Sequence, residues 1–186
     1  MFVEIGQLLI RAIFGILVFV LLLRFWMQTL RAPFRNPVGQ FVMALSDWAV
    51  LPARRVIPAF RGYDLATLVV AFVVKGLMLT LLYTLIGRGW PWIGGLFLQT
   101  VIELVRDSLQ LLIFVVLVNV VMSWLAPYNP LGALFEALSR PFCNLFRRFI
   151  PPIGSIDLSP LFVILLAQVL LIVLDNLPKL LAGVFA

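Results

Sequence analysis

The sequence contains no histidine and a single cysteine, Cys143, and its eight acidic side chains are scattered over 186 residues. Zinc, haem and iron–sulfur chemistry therefore lack their ligands, and an internal disulfide is excluded. Most familiar catalysis lacks its acid–base groups as well, so the expectation is a non-enzymatic protein that needs no cofactor. Charge is also scarce. Charged residues make up 12% of the chain and hydrophobic ones 63%, against about 25% and under half in an ordinary soluble domain. Such a chain cannot clothe itself in a water-compatible surface, and its long apolar runs point to lipid.

A helix rising 1.5 Å per residue needs about 20 residues to cross an apolar core of about 30 Å. Four segments have that length: about Ile5 to Leu30, Asp64 to Ile86, Ser108 to Ala126, and Leu158 to Leu174, the last continuing as an interfacial tail. The N-terminal stretch carries Glu4 and stays apolar to Leu30. That is unlike a cleavable signal, so the first span is expected to be retained. Trp26, Trp90, Trp92 and Trp124 fall near span ends, where an amphipathic ring sits among headgroups.

Orientation follows from the cations. The connections at 31–63 and 127–157 hold Arg31, Arg35, Arg54, Arg55, Arg61, Arg140, Arg147 and Arg148, whereas the opposite side has Arg11, Arg88, Arg106 and Lys179. The two-to-one bias places both connections in the cytoplasm and both termini outside.

The sequence also resembles itself. Asn36-Pro37-Val38-Gly39 recurs 93 residues later as Asn129-Pro130-Leu131-Gly132, and Ala44-Leu45-Ser46 as Ala137-Leu138-Ser139. Without a gap, Arg54-Arg55-Val56-Ile57-Pro58 then falls on Arg147-Arg148-Phe149-Ile150-Pro151, and Asp64-Leu65 on Asp157-Leu158. The expected fold is all-α: four transmembrane helices in two tandem parallel repeats, residues 1–92 and 93–186. After each Asn-Pro, apolar residues recur at helical spacing (Val38, Phe41, Val42, Leu45, Trp48; Leu131, Leu134, Phe135, Leu138, Phe142), predicting an amphipathic helix in the cytoplasmic interface of each repeat. Prolines 52, 58, 151 and 152 forbid a continuous helix into the next span. Asp64 and Asp157 stand where a carboxylate caps the returning helix and offsets its dipole.

These residues resemble the YggT family of small integral membrane proteins of bacteria, with related proteins in plastids. The resemblance rests on Arg24 with Trp26-Met27-Gln28, the paired Asn-Pro sites, Leu-Pro-Ala-Arg-Arg-Val-Ile-Pro at 51–58 and Arg-Arg-Phe-Ile-Pro-Pro-Ile-Gly-Ser-Ile-Asp-Leu-Ser-Pro at 147–160. It implies the two-copy bacterial form, and roles in membrane-protein or cytochrome assembly, in organising division or nucleoids, or in osmotic or ion tolerance. Where the family's second copy usually carries an arginine ahead of Ser-Trp, this chain has Asn119 ahead of Ser123-Trp124.

Four of the polar residues inside the spans are candidate sites: Arg24, Lys75, Asn119 and Gln168. Lys75 is near the middle of the second, and insertion scales charge about 2.5–3.5 kcal/mol for a central lysine, which favours an inward position. In the repeat alignment Lys75 falls on Gln168, predicting a polar clamp between the returning helices; an ion or proton site is the rival. Arg24, equivalent to Asn119 if the second copy is two residues shorter, is expected to extend its head to phosphate from just inside the boundary. Arg54, Arg55, Arg147 and Arg148 suit anionic headgroups or a partner protein, or pairing with Asp64 and Asp157. Glu103 and Asp107, four apart with Arg106 nearby, would share one side of the helix leading into the third span and read as a solvated interfacial turn, with a cation-attracting cluster as the rival; Cys143 reads as a buried small hydrophobe. A basic pI of 10.5 reflects these orienting arginines and not a nucleic-acid face.

The function expected is a membrane scaffold or assembly factor whose basic inner face engages anionic lipid and an unidentified membrane or cytoplasmic protein, with homo-oligomers plausible for so small a chain. The alternative is a small ion pathway through Lys75, Gln168, Arg24 and Asn119, contributing to osmotic or ion homeostasis.

Overall fold

Asn36 and Asn129 each stand before a proline, and each begins a helix. The Asn36 side chain accepts a hydrogen bond from Gly39 N–H at 2.8 Å, and Asn129 from Leu131 N–H at 2.9 Å. Proline at the first helical position has no N–H to leave unsatisfied. In the computed structural model, which describes residues 2–58, 62–87, 92–125, 129–149 and 157–184, these caps open two of six α-helices. In chain order they are α1 (Phe2–Thr29), α2 (Pro37–Val56), α3 (Leu65–Leu85), α4 (Ile93–Leu125), α5 (Pro130–Arg147) and α6 (Ser159–Val184). Helices α1, α3, α4 and α6 are long and apolar enough to cross a membrane.

Two boundaries depart from the sequence reading. The third apolar segment was expected to begin at Ser108, with a polar turn ahead of it, but α4 is continuous from Ile93 through 33 residues, about 50 Å. Glu103, Arg106 and Asp107 thus share the helix leading into the span, as their spacing predicts, and are half-buried. The local reason is that nothing between Ile93 and Ser108 breaks a helix, and Glu103 and Arg106 pair along it at i, i+3. Helix α2 likewise runs through Pro52 and ends at Val56. The ring removes one donor to the Trp48 carbonyl, on a part of the helix that lies exposed.

The chain packs as two compact units, Met1–Asp107 and Ser108–Ala186. In the first, α1 packs along α3, with Gly6 of α1 facing the Leu85 side chain, and α2 lies across both. The core is Val18, Leu21, Leu22 and Met27 of α1, Val42 and Val50 of α2, and Ala66 and Ala71 of α3. Phe72 meets Phe97 with ring centroids 5.2 Å apart, and Gly76 lets α3 come close to Thr100 of α4. The second unit is built on Val116, Cys143 and Val163, one from each of α4, α5 and α6, with Phe146 stacked on Phe162.

Gly39 and Gly132 hold the same place after their caps but not the same space. A Cβ on Gly39 would collide with the backbone of Phe34, whereas one on Gly132 meets nothing within 4 Å. Gly39→Ala should therefore lower stability by about 1–3 kcal/mol, while Gly132→Ala should be neutral or stabilise by up to about 1 kcal/mol through helix propensity. Thermal unfolding of the two variants in detergent measures the difference.

Candidate functional site

A cation placed among apolar helices needs a countercharge brought by the fold itself, and two such sites occur in the first unit. Arg24 comes from the last third of α1 and is 3% exposed. It donates from Nη1 to Ser46 Oγ at 2.6 Å and to Asp47 Oδ1 at 2.7 Å, both on α2. Ser46 in turn donates to the Val42 carbonyl, so its lone pairs are aimed at the guanidinium. Arg24 was expected to reach for phosphate; instead it turns inward and fastens α2 to α1. Asp47, which no motif had singled out, is the reason: it offers a full charge within side-chain reach, which the interface can only offer after the guanidinium leaves the core.

Lys75 is 5% exposed on α3. Its Nζ lies 2.7 Å from Asp107 Oδ2 and 3.5 Å from Glu103 Oε2, and Glu103 also pairs with Arg106. Two positive and two negative charges are thereby gathered on one side of α4, next to a helix that is otherwise apolar. Glu103 and Asp107 are one helical turn apart, so both carboxylates address one ammonium. The sequence reading proposed Gln168 as the neighbour of Lys75. In the structure its partners are Asp107 and Glu103, and Gln168 is exposed on α6. The signal was present in the sequence as an i, i+4 carboxylate pair on the helix leading into the third span, but the pair was read as solvated.

The other sites lie at the helix ends outside the spans. Arg54 Nη2 donates to Asp64 Oδ2 at 2.5 Å, and Asp64 accepts from the Thr67 hydroxyl and, at 3.4 Å, from the Thr67 N–H at the start of α3. The same device recurs with Arg147, whose Nη2 reaches Asp157 Oδ2 at 2.6 Å while Asp157 Oδ1 accepts the Ser159 N–H at 2.9 Å. Each aspartate thus caps a returning helix and ties it to the helix before it. Arg55 and Arg148, the second members of the pairs, are exposed. Asn119 lies half-buried in a hollow of the second unit beside Ser139 and Arg140. Cys143 is buried as expected, and burial pushes its thiol above the ordinary range, which makes it unreactive. No group of metal-binding side chains occurs among the described residues.

Four bilayer-length apolar helices, with the buried Arg24 and Lys75 each paired to a carboxylate and with arginines at the connections, define a polytopic helical membrane protein. Comparison with known proteins agrees: the chain belongs to the CCB3/YggT family, whose model matches residues 3–85 and again 98–178. It is 34% identical to an uncharacterized protein of Pseudomonas aeruginosa over 85% of this chain and 82% of that one. It is 36% identical to the uncharacterized protein YggT of Escherichia coli K12, over 81% of this chain and 79% of that one. A shorter stretch, 27% of this chain and 21% of the relative, is 39% identical to the chloroplastic YlmG homolog protein 2 of Arabidopsis thaliana. No solved structure matches.

Two outcomes follow from this geometry. Lys75→Met leaves the half-buried Asp107 carboxylate facing an apolar side chain and should cost about 1–3 kcal/mol, whereas Lys75→Met with Asp107→Leu should recover most of it. Unfolding of both variants in detergent gives the cycle, and equal losses would dissolve the pairing. The second outcome concerns acid. Burial raises the Asp64 carboxyl pKa, but the Arg54 and Thr67 hydrogen bonds and the Arg54 charge more than offset this and hold it below its usual value. A depressed carboxylate stabilises the fold at pH values above its unfolded pKa and loses that contribution as pH falls through the folded one. The melting temperature should therefore drop below about pH 4, and Asp64→Asn should flatten that drop.

Proposed function

We propose that this chain is a non-enzymatic scaffold or assembly factor of the bacterial inner membrane. Its connecting segments 31–63 and 127–157 face the cytoplasm, and its termini face the periplasm. The observation that carries the reading is the two-sidedness of α2. One stripe of it, Gly39, Val42, Ser46 and Val50, is buried against α1 and α3, while Phe41, Leu45 and Trp48 on the other side are exposed, Trp48 at 66%. Such a face has no place in water and suits the acyl–headgroup boundary, with Arg54 and Arg55 at its end level with lipid phosphate.

Further features support a static role. Lys75 and Arg24 are each paired with a carboxylate of the same chain, as a helix clamp requires. An open recess of about 610 Å³ beside Gln28, Arg31 and Arg54 offers cations to an anionic headgroup. Along α6, Leu161, Leu165, Val169 and Ile172 are exposed at helical spacing, a surface for lipid, for an unidentified membrane protein or for a second copy. We read the chain as two tandem repeats, since the family model falls on it as two stretches and each stretch carries an Asn-Pro cap and an Arg–Asp tie. A small ion pathway is the second reading. It is favoured by the partial exposure of Glu103 and Asp107 around Lys75.

The lipid claim is tested with spin-labelled phosphatidylglycerol and phosphatidylcholine around the intact protein in bilayers. Arg55→Gln with Arg148→Gln should reduce the preference for phosphatidylglycerol by about fivefold per charge, the equivalent of about 1 kcal/mol each. An unchanged preference removes the basic face from the proposal. Crosslinking in native membranes then identifies the protein neighbours.

A further inference from the structure

The arginine clamp of the first unit has an altered counterpart in the second. Helix α5 repeats the register of α2 at a spacing of 93 residues, so Ser139 stands where α2 has Ser46 and Arg140 where it has Asp47. On α4, counting the second copy as two residues shorter ahead of its Asn-Pro, Asn119 stands where α1 has Arg24. The long cation of the membrane helix has become a short amide, and its acceptor has become a cation. Among the described residues none refills the space: a cavity of about 170 Å³ remains, lined among others by Asn119, Ser123, Glu136, Ser139, Arg140 and Cys143. A single buried water needs only about 10–15 Å³ on the same measure.

The lining is built to bind. Ser139 is 1% exposed and donates to the Glu136 carbonyl at 3.3 Å, leaving its hydroxyl oxygen able to accept, as Ser46 accepts from Arg24. Glu136 takes the place of Met43 in α2, so the second unit has acquired a carboxylate as well as a cation beside the vacated space. Glu136 and Arg140 are one turn apart on α5, yet they form no ion pair with each other or with any other described residue. Each therefore presents an unmet charge to the cavity mouth, one negative and one positive. The ligand that answers this pattern carries a hydrogen-bond-donating cation a few ångströms from an anion.

We propose that this cavity is a headgroup site for a zwitterionic phospholipid with a primary amine. Its ammonium occupies the position that the Arg24 guanidinium fills in the first unit, donating to Ser139 and Glu136, and its phosphate pairs with Arg140. The acyl chains run along the exposed apolar flank of α4. A choline headgroup has no N–H to donate, and a glycerol headgroup has no cation for Glu136, so both are discriminated against. This inference depends on the membrane reading of α4 and α6 and on no property of Arg55 or Arg148.

The test is native mass spectrometry of the full-length, delipidated protein in detergent, titrated separately with dioleoyl phosphatidylethanolamine, phosphatidylcholine and phosphatidylglycerol. The wild type should bind the first at least tenfold more tightly than the second. Glu136→Gln should erase that margin, and Arg140→Gln should weaken all three lipids. Asn119→Arg with Arg140→Asp rebuilds the clamp of the first unit, keeps the fold, and should abolish the preference by filling the cavity. Equal affinity for the three lipids in the wild type, or an unchanged preference in the rebuilt variant, overturns the site. A preference for phosphatidylglycerol that is lost only on Arg55→Gln with Arg148→Gln belongs to the basic face and also counts against this cavity.

Discussion

Everything in this structure depends on one constraint: a charge that lies among apolar helices must find its countercharge within the same chain. Water cannot supply it there, and an unpaired ammonium or guanidinium in a low-dielectric interior costs several kcal/mol. The first unit meets the constraint twice, with Arg24 against Asp47 and with Lys75 against Asp107 and Glu103. Each pairing joins two different helices. The need for neutrality thus becomes a need for particular helix neighbours, α1 with α2 and α3 with α4, which apolar packing alone would not specify because lipid tails are as apolar as leucine.

At the connections, the same logic works at lower stakes. Arg54 and Arg147 reach Asp64 and Asp157, and each aspartate at the same time caps the next helix. One carboxylate therefore fixes where a membrane helix begins and which preceding helix it lies beside. Water reaches these pairs, so they add register more than stability. The exposed members of the arginine pairs remain available to whatever lies outside the protein.

Much of this was legible before any coordinates. Long apolar runs show the number of membrane-crossing helices, since few other arrangements satisfy twenty consecutive apolar residues. Asp64 and Asp157 were readable as caps because capping depends on residues two or three positions away, well within what a sequence pattern records. Lys75 was recognisable as an inward residue from its depth alone. Its partners were not, because the pairing of α3 with α4 is a tertiary fact: the polar run Glu103-Leu104-Val105-Arg106-Asp107 looks the same whether it caps a span or extends one. Arg24 was misplaced for a related reason. An arginine near a boundary can turn either way, and only the position of Asp47 on a neighbouring helix decides between them.

The account treats the intramembrane ions as fixed clamps, and transport is the behaviour that a clamp excludes. The most direct measurement is ion and proton flux through the purified protein in liposomes under an imposed potential. Locked pairs predict a flux indistinguishable from protein-free vesicles. A saturable flux that disappears on Lys75→Met, in a variant shown to be inserted and folded, would contradict the account and transfer the role of the Lys75 cluster to a pathway.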